Sequence, residues 1–109
     1  MGTVTKILGQ SFPALLTNTN LYTVPASTTT ICSTVSVCNQ SNTATRFRIA
    51  VRAAGAAISS QHYLYYDVTI PGNETFMATL GITLATTDIV TVYAELGTLS
   101  FNLFGQEQS

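Results

Sequence analysis

The stretch TRFRIAVRAAG, residues 45 to 55, sets Phe47, Ile49, Val51 and Ala53 on one parity and Arg46, Arg48, Ala50 and Arg52 on the other. Side chains alternate across a strand with a period of two, whereas a helix would scatter both sets around its axis. The segment reads as a strand with one face in a core and one face outside it. Similar short runs recur along the chain, bounded by Gly, Pro, Asn, Asp and Ser, at the spacing expected of sandwiches and barrels. They predict strands at Leu21 to Val24, Thr29 to Cys38, Arg46 to Ala53, Tyr63 to Ile70, Thr75 to Gly81, Ile89 to Glu95 and Leu99 to Phe104. Reversals are expected at VPAS (24–27), NQSN (39–42), IPGNET (70–75) and ATTD (85–88), with PGN joining two antiparallel strands. AAGAAISS (53–60) reads as a loop or a single helical turn because Gly55 and the serines interrupt it.

A chain of 109 residues fits one domain with a core of its own. Charged residues are only 8% of it, against about 25% in ordinary soluble domains, and Thr is the commonest residue. β-branched enrichment favours sheet. The expected fold is therefore all-β, an antiparallel β-sandwich of jelly-roll or Ig-like type with about seven to eight strands. Residues 19–109 form the sandwich. Residues 1–18, MGTVTKILGQSFPALLTN, are weakly periodic and are expected to form either an extended arm lying on a neighbouring subunit or an edge strand. A net charge of -1 supplies no field for nucleic acid or anionic membrane, and so few charges suit a subunit of an assembly better than an isolated monomer. No segment has the length of a membrane helix or the pattern of a signal peptide, so the chain is expected to be made and used in cytosol, beginning at Met1 or Gly2. Sequons at Asn39 and Asn73 carry no weight in that setting.

Residues that carry chemistry do not form a recognisable set. Cys32 and Cys38, on one strand, would share a face about 20 Å apart and cannot bridge; they read as two small buried thiols. His62 is the only histidine, so no metal site is expected. Ser59, Ser60, His62 and Asp67 contain the residue types of a hydrolase triad, but His62 and Asp67 have opposite parity and no nucleophile elbow is near. The five acidic residues are scattered singly, and AAGAA lacks a phosphate-loop pattern. No catalytic residue, cofactor, nucleic-acid partner or membrane partner is expected. In HYLYYD, Tyr63 and Tyr65 share a face opposite Tyr66 and offer a small platform for stacking a glycan, although Trp is absent.

The arginine row, Arg46, Arg48 and Arg52, spans about 20 Å and needs carboxylates or carbonyls as partners. Asp67, Glu95 or a neighbouring subunit are the candidates. Because few other charges exist to set a register, the row is expected to orient subunits, with Ile7, Leu8, Phe12 and Phe104 as apolar contacts. Phe101 points opposite Phe104 and reads as core.

The ordered phrases LYTVPAST, VCNQSN, FRIAVRAAGA, HYLYYDVTIPGNET, LGITLATTDIVTVYAE and LSFNLFGQE resemble a family of small virion structural proteins of tailed bacteriophages, over about Leu8 to Glu107. The resemblance implies a non-enzymatic β-sandwich component of the virion. It points first to a capsid cement or decoration protein, a trimer bound to the major capsid protein. Next comes a tail, neck or baseplate component, and third a fibre-associated carbohydrate- or receptor-binding module.

Overall fold

A computed structural model describes residues 2–109. The chain forms eight strands: β1 (Thr3–Ser11), β2 (Thr19–Thr23), β3 (Thr29–Asn39), β4 (Thr45–Arg52), β5 (Tyr63–Ile70), β6 (Thr75–Leu84), β7 (Ile89–Ala94) and β8 (Leu99–Gln108). Two single 3-10 turns, Ala53–Gly55 and Ser60–His62, lie between β4 and β5. All seven expected strands are present, and the eighth comes from the N-terminal segment.

The strands make two four-stranded antiparallel sheets, sheet I in the order β1-β8-β3-β6 and sheet II in the order β2-β7-β4-β5. The sheets pack as a sandwich. Hydrogen-bonded neighbours include β1 with β8, β2 with β7, β3 with β6 and β4 with β5. This is the nesting obtained when one long hairpin is folded over itself, the jelly-roll arrangement rather than the immunoglobulin one. Only the β4–β5 connection stays within a sheet; every other connection crosses the sandwich.

The crossing corrects the expectation for IPGNET. Strands β5 and β6 belong to different sheets, so the turn is an arch between layers and not a hairpin. Its geometry follows from close packing on the β3–β4 loop. A Cβ on Gly72 would come within 2.4 Å of the Asn42 backbone, Asn73 adopts φ 58, and the Asn73 N–H donates to the Ser41 carbonyl at 2.7 Å.

Residues 3–11 are an edge strand paired along β8, so the arm reading does not describe this structure. Leu8 faces inward, opposite its neighbour Ile7, and a bulge there reverses the alternation beyond it so that Gln10 lies outside with Ile7. Leu8 is thus a core residue and not a contact for another subunit. The same device separates the cysteines. Ser33 is an extra residue in β3 opposite β8, which reverses parity beyond it: Cys32 is buried and Cys38 is partly exposed on the outer face. Burial pushes the Cys32 thiol up to about 11, leaving it unreactive at neutral pH.

The core runs between the sheets. Phe47 of β4 meets Phe76 of β6 at a centroid distance of 5.1 Å and Phe101 of β8 at 6.2 Å, tying sheet II to both an edge and an interior strand of sheet I. Val35, Val37, Ile49, Val90, Val92, Leu99 and Leu103 fill the rest. Asn39, buried at one end of the sandwich, uses both sides of its amide. Its Nδ2 donates to the carbonyls of Thr43 at 2.9 Å, Pro71 at 3.2 Å and Ile70 at 3.4 Å, and its Oδ1 accepts from Ser41 N–H at 3.1 Å and Thr98 Oγ1 at 3.1 Å. Three loops are held by this one side chain, which is also closed to glycosylation.

Near the other end, the Tyr22 hydroxyl donates to Glu107 Oε2 at 2.5 Å and lies 2.8 Å from Thr30 Oγ1, while Lys6 Nζ bonds Glu107 Oε1 at 3.2 Å. Burial, then the bond to Glu107, raises the Tyr22 phenol above its ordinary value. The Tyr22 hydroxyl, followed by Lys6, holds the Glu107 carboxyl below its ordinary value. A raised phenol stabilises the fold below its unfolded value of about 10, and that contribution is lost as pH rises through the folded value. A lowered carboxyl stabilises above its unfolded value of about 4.3 and is lost as pH falls through the folded value. Melting temperature should therefore decline in alkali above about pH 10. Tyr22→Phe should cost about 1–3 kcal/mol at neutral pH and remove this phenol's share of the alkaline decline, as read by thermal denaturation across a pH series.

Candidate functional site

The outer face of sheet II carries the arginines. Register places Arg46 beside Thr69 of β5, Arg48 beside Tyr93 of β7, and Arg52 beside Ile89 of β7. Arg48 donates from Nε to Asp67 Oδ1 at 2.7 Å and from Nη2 to Oδ2 at 3.4 Å, a two-pronged pair. Its guanidinium carbon lies 4.2 Å from the centre of the Tyr66 ring and 4.4 Å from that of Tyr93, so it is in cation–π contact with both rings. Asp67 reaches the pair from a left-handed backbone, φ 52, a conformation Asp tolerates better than most residues. The hydrogen bond from Arg48 holds the Asp67 carboxyl below its ordinary value and raises the guanidinium above its own.

Arg52 is used in a different way. Nε donates to Thr91 Oγ1 at 3.0 Å, Nη2 to Asn20 Oδ1 at 2.9 Å, and Nη1 to the carbonyls of Ala56 at 3.0 Å and Gly55 at 3.4 Å. It fastens β4 to β7, β2 and the loop that follows β4. Two of the three arginines thus have partners within the chain, Asp67 among them as one of the candidates the sequence offered, and they brace sheet II. Arg46 is exposed and, among the described residues, makes no side-chain hydrogen bond; it lines a shallow cleft with Thr69 and Glu95.

The tyrosines are also rearranged. Pairing between β4 and β5 shifts on both sides of Ile49, so alternation in β5 fails. Tyr65 turns inward, partly buried against Phe76 at 5.4 Å and Phe47 at 6.3 Å, and so does not share an outer face with Tyr63. Tyr66 takes its place outside, 57% exposed and edge-to-face with Tyr63 at 4.9 Å. These two rings and Ser59 and Ser60 line an open cleft of about 540 Å³. The triad-type residues are engaged elsewhere: His62 Nδ1 accepts the Ser59 N–H at 3.0 Å, and Asp67 is bound by Arg48. Among the described residues, no group of three or more His, Cys, Asp or Glu side chains comes together.

The outer face of sheet I has the opposite character. Across β1, β8, β3 and β6 its rows read Ile7, Phe104, Thr34, Thr79; then Gln10, Asn102, Ser36, Met77; then Thr5, Gln106, Ile31, Thr83. None is charged. Ile7 is 50% exposed and Met77 65%, with Phe104 partly exposed between Ile7 and Thr34. Gln10 Nε2 donates to Asn102 Oδ1 at 2.7 Å, and beside them Phe12, 56% exposed, lines a cleft of about 500 Å³ with Gln40 and Ser100. Ile7, Phe12 and Phe104 therefore lie on or beside one surface, while Phe101 is buried in the core. The charges lie elsewhere. Lys6 and Glu107 pair with each other, Glu74, Asp88 and Glu95 sit between strands, and the arginines with Asp67 lie on sheet II.

Compared with protein-family models, curated proteins and solved structures, the chain matches none of them.

Arg48→Ala removes the Asp67 pair and both ring contacts. It should lower the melting temperature of the isolated protein by roughly 5 °C and leave its mass in solution unchanged. Arg46→Ala should leave melting unaltered within about 0.5 kcal/mol. Calorimetry paired with light scattering separates a brace from a contact.

Proposed function

We propose that this chain is a non-enzymatic structural subunit of a tailed-bacteriophage virion, a capsid cement or decoration protein that assembles with copies of itself and binds the major capsid protein. The observation that carries the reading is the uncharged, partly apolar outer face of sheet I on a jelly-roll whose few ionic groups are gathered elsewhere. Such a surface gives an isolated monomer little protection against association and suits a subunit covered by neighbours. Jelly-rolls recur in viral capsid and lectin domains, which agrees with the resemblance in sequence at the level of fold. Purified protein added to phage shells lacking it should appear in electron micrographs as regular density over the shell and should raise the temperature at which the shells rupture. Density confined to tail, neck or baseplate, with shell stability unchanged, would move the subunit there.

A second reading, a fibre-associated carbohydrate-binding module, is favoured by the cleft between Tyr63, Tyr66, Ser59 and Ser60. Arg48 lies against the Tyr66 ring, so a sugar would meet an aromatic already held in place. In that case host surface polysaccharide binds saturably, and Tyr66→Ala lowers affinity by about tenfold or more while Tyr65→Ala acts only through stability. Absence of saturable binding by the unaltered protein retires this reading.

A further inference from the structure

We propose that the outer face of sheet I is the seat of a second copy of this chain, docked face to face about a two-fold axis running along the strands between β8 and β3. This deepens the subunit reading above by naming the surface of self-contact.

Every exposed sheet edge is guarded against strand addition. β1 is bulged at Leu8 and carries Lys6; β2 is only five residues long and bulged at Leu21. β5 has irregular pairing around Leu64 and again at Tyr66 and Asp67. β6 loses register around Gly81, where φ is +63. Short strands, bulges and edge lysines are the means by which sheets resist growing sideways. The outer face of sheet I lacks the corresponding protection, a charge. Assembly is thus discouraged at the edges and left open at this face.

The pattern of the face selects its occupant. A surface without charges meets its own copy at no cost in like-charge repulsion, and no complementary charge on another protein is called for. Its central row is divided into a bulky half, Ile7 and Phe104, and a small half, Thr34 and Thr79. Rotation about an axis along the strands between β8 and β3 lays β1 over β6 and β8 over β3. The bulky half of each copy then covers the small half of the other, and Met77 covers Gln10. Isologous contacts are satisfied by self-complementarity of this kind. Four strands at about 4.8 Å and ten residues at about 3.3 Å give a projected face of roughly 600 Å², before side-chain relief is counted. That is comparable to the roughly 800 Å² per partner of a standard stable interface.

The test is sedimentation equilibrium of the full chain across the micromolar range. Wild type is expected at twice 11.6 kDa. Thr34→Lys and Ser36→Lys, each placing a charge near the centre of the face, should weaken association by about tenfold or more while circular dichroism shows the same β fold. Thr69→Lys, on the outer face of sheet II, should leave the mass unchanged. Mixing Thr34→Lys with Thr34→Asp should restore a dimer of one chain of each kind. A monomeric wild type, a three-fold assembly indifferent to Thr34 and Ser36, or association abolished by Thr69→Lys instead would overturn the proposal. Shell binding separates the two readings. A dimer that ignores shells keeps this contact and removes the cement reading. A monomeric wild type whose shell binding is lost on Thr34→Lys gives the face to the capsid protein and removes the second copy.

Discussion

Phe47 holds the sandwich at its middle. It projects from an interior strand of sheet II and touches Phe76 and Phe101 of sheet I, so the separation of the layers follows from the size of these rings. Aromatic contacts of this type combine large apolar burial with a preferred tilt. Because nearly all connections cross between layers, neither sheet is a contiguous piece of chain, and the layers have to form together around that cluster. Asn39 at one end and the Tyr22–Glu107 pair near the other then satisfy buried polar groups that would otherwise oppose closure.

The alternation in β4 was legible from its residues alone, and so were the positions of six further strands, because a half-buried strand writes its period into the sequence. Bulges were not legible. Each inserts residues that reverse the parity of the strand beyond them, which is why Gln10 shares the outer face with Ile7, Cys38 faces outward and Tyr65 exchanges places with Tyr66. Asp67 was visible as one candidate partner for the arginines, but its left-handed backbone, which helps present the carboxylate to Arg48, has no periodic signature. Turn chemistry likewise marked IPGNET as a reversal without saying whether the chain returns in its own sheet. That choice depends on Gly72 meeting the Asn42 backbone, a contact between segments distant in sequence.

The two outer faces divide the labour of a chain with very few charges. On sheet II, charge and aromatic rings are spent on one another: Arg48 is neutralised by Asp67 and flanked by Tyr66 and Tyr93, and Arg52 is consumed by side-chain and loop oxygens. What this face can still offer is shape and aromatic surface in the cleft beside Tyr63. On sheet I, hydroxyls, amides and a few apolar side chains make a surface whose demands are met by close packing more than by ion pairing. The contacts that brace the fold and the surface left open to others thus fall on different sheets.

Pairing between β1 and β8 brings Gly2 and Ser109 into mutual hydrogen bonds, each 3.0 Å long. It also has a consequence for synthesis. Strand β8 lies between β1 and β3 in sheet I, so neither acquires that neighbour until β8 has left the ribosome. Until then Val35 and Val37, fully buried in the finished protein, lack the strand that pairs beside them. Each newly made chain passes through an interval in which one layer of its sandwich is split. Emergence of β8, rather than of β1, is the moment at which that layer can close.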